Sequence, residues 1–168
     1  MTTAATASVS AEESNVPRLM RAWLLTAVID ETFSSVLSKF FYGSTVTRLW
    51  QGVASVLIGA KAFEGGTTTV LLGVLMHLVV AFTWSAVFLF LIWRMQWVRR
   101  IVGSPFGVFK MAAVYGPAIW MVMSLVVIPL FAHRPPSITY RWWVQFFGHI
   151  PFVALPIVAS IAKGQVRR

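Results

Sequence analysis

The sequence predicts an all-α membrane protein, with four transmembrane helices and one interfacial or re-entrant helix between the first two. Three observations carry this. Hydrophobic residues make up 58% of the 168-residue chain and charged residues only 11%, against about 45–50% and about 25% in soluble domains. Four apolar stretches approach the roughly 20 residues needed to cross the hydrocarbon core. The 14 Lys and Arg residues, set against five Asp and Glu, fall between those stretches rather than in one continuous patch. Basic residues placed in this way encode membrane topology and are not expected to bind nucleic acid. With no Cys in the chain, disulfides, thiolate metal sites and cysteine nucleophiles are excluded.

Residues 1–17 read as a disordered cytoplasmic tail. They are rich in Thr, Ala and Ser, carry Glu12 and Glu13, and precede the first basic residue, Arg18. That order does not match a secretory signal, which needs a positive segment followed directly by an apolar core. A single transmembrane domain covers residues 18–163, and 164–168 form a basic tail. The predicted spans are about Leu19 to Phe41, Val70 to Trp93, Met111 to Phe131 and Trp143 to Ala162. Between the first two, Val46, Leu49, Trp50, Val53, Leu57 and Ala60 recur at helical spacing across Val46 to Phe63, interrupted by Arg48, Gln51, Ser55 and Lys61. This helix is too short and too polar to span, so it is expected to lie in the interface or to re-enter. A fifth crossing is the rival reading, and it would put the two termini on opposite sides.

Basic residues set the orientation. Arg18, Arg21, Arg94, Arg99, Arg100, Lys110, Lys163, Arg167 and Arg168 lie on one side, against Lys39, Arg48, Lys61, Arg134 and Arg141 on the other. The richer side is cytoplasmic, which places both termini in the cytoplasm. Phe41, Tyr42, Trp142 and Trp143 then form an outer aromatic belt, and Trp23, Trp93 and Trp97 an inner one.

Ionisable groups within the spans are the candidate site. Each costs about 2.5–3.5 kcal/mol at a helix centre and so faces a partner or a water-filled cavity. At a rise of about 1.5 Å per residue, His77 and His149 lie roughly 9–10 Å below the outer ends of their helices, and Ser124 roughly 10 Å below its own. Asp30 and Glu31 lie roughly 10–16 Å deep. Helical periodicity groups Thr26, Asp30, Ser34 and Ser38 on one face, Gly73, His77, Ala81 and Ser85 on a second, and Gln145, His149, Val153, Pro156 and Ser160 on a third. Asp30, Glu31, His77, Ser124, Gln145 and His149 are therefore the candidates for a proton relay or an inert polar network. Two imidazoles with a carboxylate also suit a haem or metal, but no ligand-spacing motif accompanies them, and neither a metal nor a cofactor is expected. Pro117, Pro129, Pro151 and Pro156 leave the carbonyls of Ala113, Leu125, Phe147 and Phe152 without their usual donors.

No Gly-rich nucleotide loop, HExxH or GxSxG is present, so an enzyme is not expected. The functional expectation is proton-linked transport or pH sensing through the buried acid–histidine layer. The rival is a structural or accessory subunit of a larger membrane complex, associating with copies of itself or with other chains in the bilayer through small-residue faces.

Several short motifs add a resemblance. They are the first helix with Asp30, the stretch Arg48-Leu49-Trp50-Gln51-Gly52-Val53-Ala54-Ser55, and Gly59 through Gly66 leading to His77. Further along come Val114-Tyr115-Gly116-Pro117, Met123-Ser124 with Val127 and Pro129, and His149 followed by Leu155-Pro156. In this order they resemble the small bacterial inner-membrane proteins of the YagU-like group, in which an Asn stands where this chain has Ser124. The resemblance implies a four-helix inner-membrane protein and no particular chemistry.

Overall fold

The computed structural model describes residues 14–163. Of the tails expected at 1–17 and 164–168, residues 1–13 and 164–168 lie outside the described residues, while 15–17 already belong to the first helix. Within the described residues the chain is helical and has no strand. Six helices follow in order: α1 Asn15–Val36, α2 Val46–Ile58, α3 Gly66–Arg94, α4 Gln96–Val102, α5 Gly107–Ala132 and α6 Tyr140–Ala162. Three of them, α3, α5 and α6, are long and apolar enough to cross a membrane. They begin three or four residues before the stretches read from apolarity, because each first turn holds polar residues, such as Thr67 to Thr69, Lys110 and Arg141, that hydropathy discounts. Arg18, Arg21, Asp30 and Glu31 keep α1 out of that apolar class.

The end of the bundle beside α4 is a conventional apolar core. Phe88, Ile119, Ile157, Val158 and Ile161 are fully or almost fully buried there. Tyr115 ties α5 to α3, donating its hydroxyl to the Trp84 carbonyl at 2.7 Å and packing its ring against Phe88. The α3–α5 connection is itself helical. In α4, Val98 and Val102 turn inward, and Arg99 donates to the carbonyls of Ile92 and Trp93. These are orphan acceptors at the end of α3, where the helix dipole favours a cation.

Close backbone approach sets the spacing of the helices elsewhere. A Cβ at Gly73 would stand 2.1 Å from the Trp50 carbonyl oxygen, and one at Gly116 would stand 2.6 Å from that of His149. Only glycine lets α2 fold down onto α3, and α5 onto α6, at these distances. Besides α3, α2 touches the last turns of α5, so it bridges the two helices at the end where α1 and α5 finish.

Three wide, π-helical turns interrupt the regular pitch: Leu37–Phe41 at the end of α1, Met123–Val127 in α5 and Ile150–Ala154 in α6. In α5 and α6 the proline positions account for them. Pro129, Pro151 and Pro156 cannot donate, so neighbouring amides reach one residue further back, from Ile128 to Met123 and from Leu155 to Ile150. The α5 helix stops at His133, which takes a left-handed conformation at φ 50°.

Candidate functional site

Helices α1, α2, α3, α5 and α6 enclose a cavity of about 1140 Å³, slightly larger than the roughly 300–1,000 Å³ of small-molecule sites. Of the polar faces read from the sequence, the first lines it whole and the other two in part, without Gly73, Ser85, Pro156 and Ser160. Thr26, Asp30, Ser34 and Ser38 come from α1 and its terminal turn, His77 and Ala81 from α3, and Gln145, His149 and Val153 from α6. Most of the remaining wall is apolar, including Leu49, Val53 and Val56 of α2 and Met123 and Val127 of α5.

Asp30 and His77 form the centre of the site. The Asp30 Oδ2 lies 3.8 Å from His77 Nδ1, within ion-pair range and too long for a hydrogen bond. The other ring nitrogen, Nε2, lies 3.1 Å from the Ala27 carbonyl oxygen. A carbonyl only accepts, so Nε2 carries the hydrogen. In neutral His77 the Nδ1 lone pair would then face the carboxylate, an arrangement of two acceptors. A proton held by either group turns that repulsion into attraction across the 3.8 Å. The second carboxyl oxygen, Oδ1, is buried and has no hydrogen-bond partner, which ordinarily costs about 1–3 kcal/mol.

His149 is held in the opposite sense. Its Nδ1 lies 2.7 Å from the Gln145 carbonyl one turn back, which fixes the hydrogen on Nδ1 and leaves Nε2 as the nitrogen free to exchange a proton. The residue is buried, with its ring against Trp120 at 4.9 Å, and it interacts electrostatically with Asp30. The His77 ring packs edge-on against Trp50 at 5.4 Å. The two aromatic supports and the Ala27 carbonyl are not visible in sequence spacing, because they depend on which helices become neighbours, whereas the Gln145 carbonyl lies one turn back on the same helix as His149.

Two of the candidate residues fall outside the cavity. Glu31 lies one residue and about 100° round the helix from Asp30, on a half-buried flank that does not line the cavity. The buried Ser124 hydroxyl accepts from Trp142 Nε1 at 2.9 Å. Trp142 is correspondingly buried, so it is a packing residue rather than the belt anchor its position suggested, whereas Trp143 is half exposed. Among the described residues no three His, Cys, Asp or Glu side chains group so as to hold a metal.

The end of the cavity away from the apolar core is basic. Arg48 from the first turn of α2, Arg134 from the α5–α6 connection and Arg141 from the first turn of α6 all line it, together with Tyr42. Arg141 lies 4.3 Å from the Tyr42 ring centroid, and Arg48 lies 4.8 Å from that of Phe63. Among the described residues no carboxylate pairs with any of the three arginines. The Tyr42 hydroxyl is buried without a partner. Burial, reinforced by Tyr140 and opposed by Arg141, holds that phenol above its usual range, so it stays a donor.

No family model, curated protein or solved structure matches the chain.

Proposed function

We propose that the chain is a four-span, non-enzymatic protein of a bacterial inner membrane with both termini cytoplasmic. In this reading the Asp30–His77–His149 floor takes up and releases a proton as its chamber fills and empties, in proton-linked transport or pH sensing. The cavity carries the reading, because it brings a carboxylate and two imidazoles, each imidazole with one nitrogen committed to a backbone carbonyl, to a space that solute and water can occupy. An inert network has no need of such a space.

The arrangement of α1 supports a fourth span. Its polar residues Arg18, Thr26 and Asp30 turn inward, while Leu24, Leu25, Val28 and Val36 are exposed, as lipid requires. An accessory subunit would offer its small-residue faces outward. Here Gly73, Gly116 and Gly148 are used within the chain, against Trp50, His149 and Phe33.

The test is pH-driven flux or pH-dependent conformational change in proteoliposomes. Asp30→Asn and His77→Gln keep hydrogen-bonding side chains of similar size and remove the titrating group. Both variants should melt near the parent and lose the pH response. A parent protein with no pH response, or variants that retain it, would overturn the proposal.

A further inference from the structure

The cavity is open in its side wall. Leu75, Val79 and Thr83 of α3 line it, yet Leu75 and Val79 are each 57% exposed. Phe131 of α5 lines it as well and is 52% exposed. Wall residues this exposed, on two helices that are not closely packed against each other, leave the chamber open between them. The contacts that join α3 to α5 run through Tyr115, with Trp84 and Phe88, deeper in the bundle. Above them the two helices part, and what lies outside their apolar flanks is the bilayer.

At one end of this gap stand Arg48, Arg134, Arg141 and the unpartnered Tyr42 hydroxyl, a cationic donor cluster with no carboxylate to neutralise it among the described residues. Guanidinium groups gathered from three separate elements suit an oxyanion. The adjoining wall is aliphatic and open to lipid, so the molecule that satisfies both parts is amphipathic.

We propose that the chamber takes an anionic single-chain amphiphile from the bilayer, entering between α3 and α5, with its phosphate or carboxylate head on the arginines and its acyl chain along the apolar wall. The proposal rests on the reading of this cavity as the working chamber, and it names the class of molecule that fills it. It assigns three arginines to headgroup selection, beyond their part in setting topology.

The test compares three probes on the purified protein in neutral detergent at one fixed pH: a lysophosphatidylglycerol, a lysophosphatidylcholine of the same chain length, and glycerol phosphate. Binding is read by calorimetry and by native mass spectrometry. The anionic lysolipid should bind at least about tenfold more tightly than the zwitterionic one, and glycerol phosphate should not displace it. Arg134→Gln with Arg141→Gln should cut the preference to under about threefold without moving Tm, since both side chains are exposed. Val79→Trp, which narrows the gap from its lipid-facing side, should weaken both lysolipids together. Equal binding of the two lysolipids overturns the proposal, and so does glycerol phosphate binding as tightly as the lysolipid, which would mark a site for a free anion. Because no gradient is applied, a protein that shows proton-linked behaviour without headgroup preference sinks this inference alone. A protein with the preference and no pH response sinks the proton reading alone.

Discussion

Replacing Gly73 with alanine should separate α2 from α3. The added Cβ would stand 2.1 Å from the Trp50 carbonyl oxygen and 2.8 Å from its carbon. Ordinary contact begins at 3.4 Å, so the backbone of α2 must retreat by about 1.3 Å, and no flexible side chain can absorb the movement. Overpacking of this kind costs about 1–3 kcal/mol, against which alanine's better helix propensity returns only about 0.5–1 kcal/mol. The net loss should lower Tm in micelles by several degrees, on the order of 2–4 °C per kcal/mol for a chain of this size. Gly52→Ala is the matched control. It lies in the interior of α2 with nothing within 4 Å of its Cβ position, so the propensity gain is unopposed and Tm should rise or hold. The shift should also reach the site, since Trp50 supports His77, and Gly73→Ala should weaken ligand binding where Gly52→Ala does so less. Equal Tm values for the two variants would refute the close packing of α2 on α3.

Trp142→Phe should cost about 1–2 kcal/mol by leaving the buried Ser124 hydroxyl without its donor, while Trp143→Phe, at an exposed ring, should stay within about 0.5 kcal/mol; thermal melts of the pair decide this. Arg99→Gln should destabilise by about 1 kcal/mol through the uncapped carbonyls of Ile92 and Trp93, and Arg100→Gln, an exposed neighbour, should leave Tm unchanged. Reporters fused after Arg168 and before Val16 should both read cytoplasmic, and one inserted at Gly65-Gly66 should read external; an external reading at the C-terminus would contradict four spans.

The faces of the site were legible in the sequence because helical periodicity and rise convert residue number into direction and depth. Asp30, His77 and His149, with Ser34, Gln145 and Val153 on their stripes, do line one cavity. Periodicity did not separate Asp30 from Glu31, since adjacent residues diverge by about 100° and only the position of neighbouring helices decides which one is turned inward. The backbone partner of His77, the Ala27 carbonyl on another helix, was hidden for the same reason. The arginine cluster was read as topology signals, and its convergence depends on α2 bridging α3 and the end of α5, which no local pattern encodes. Composition placed Trp142 in an interfacial belt, and a single tertiary hydrogen bond to Ser124 placed it inside.

The central claim is that the floor of the cavity holds an exchangeable proton, and solid-state 15N NMR of histidine-labelled protein in bilayers tests it most directly. His133→Gln removes the loop signal and leaves two imidazoles to follow. The account predicts opposite neutral tautomers, with the hydrogen on Nε2 in His77 and on Nδ1 in His149, and reversible changes in the spectra as bulk pH is varied over the range in which the protein stays folded. In Asp30→Asn the His77 response should differ from the parent, because the group that shares its proton is gone. Two spectra that stay unchanged across that range, in parent and variant alike, would show a sealed structural network and contradict the claim.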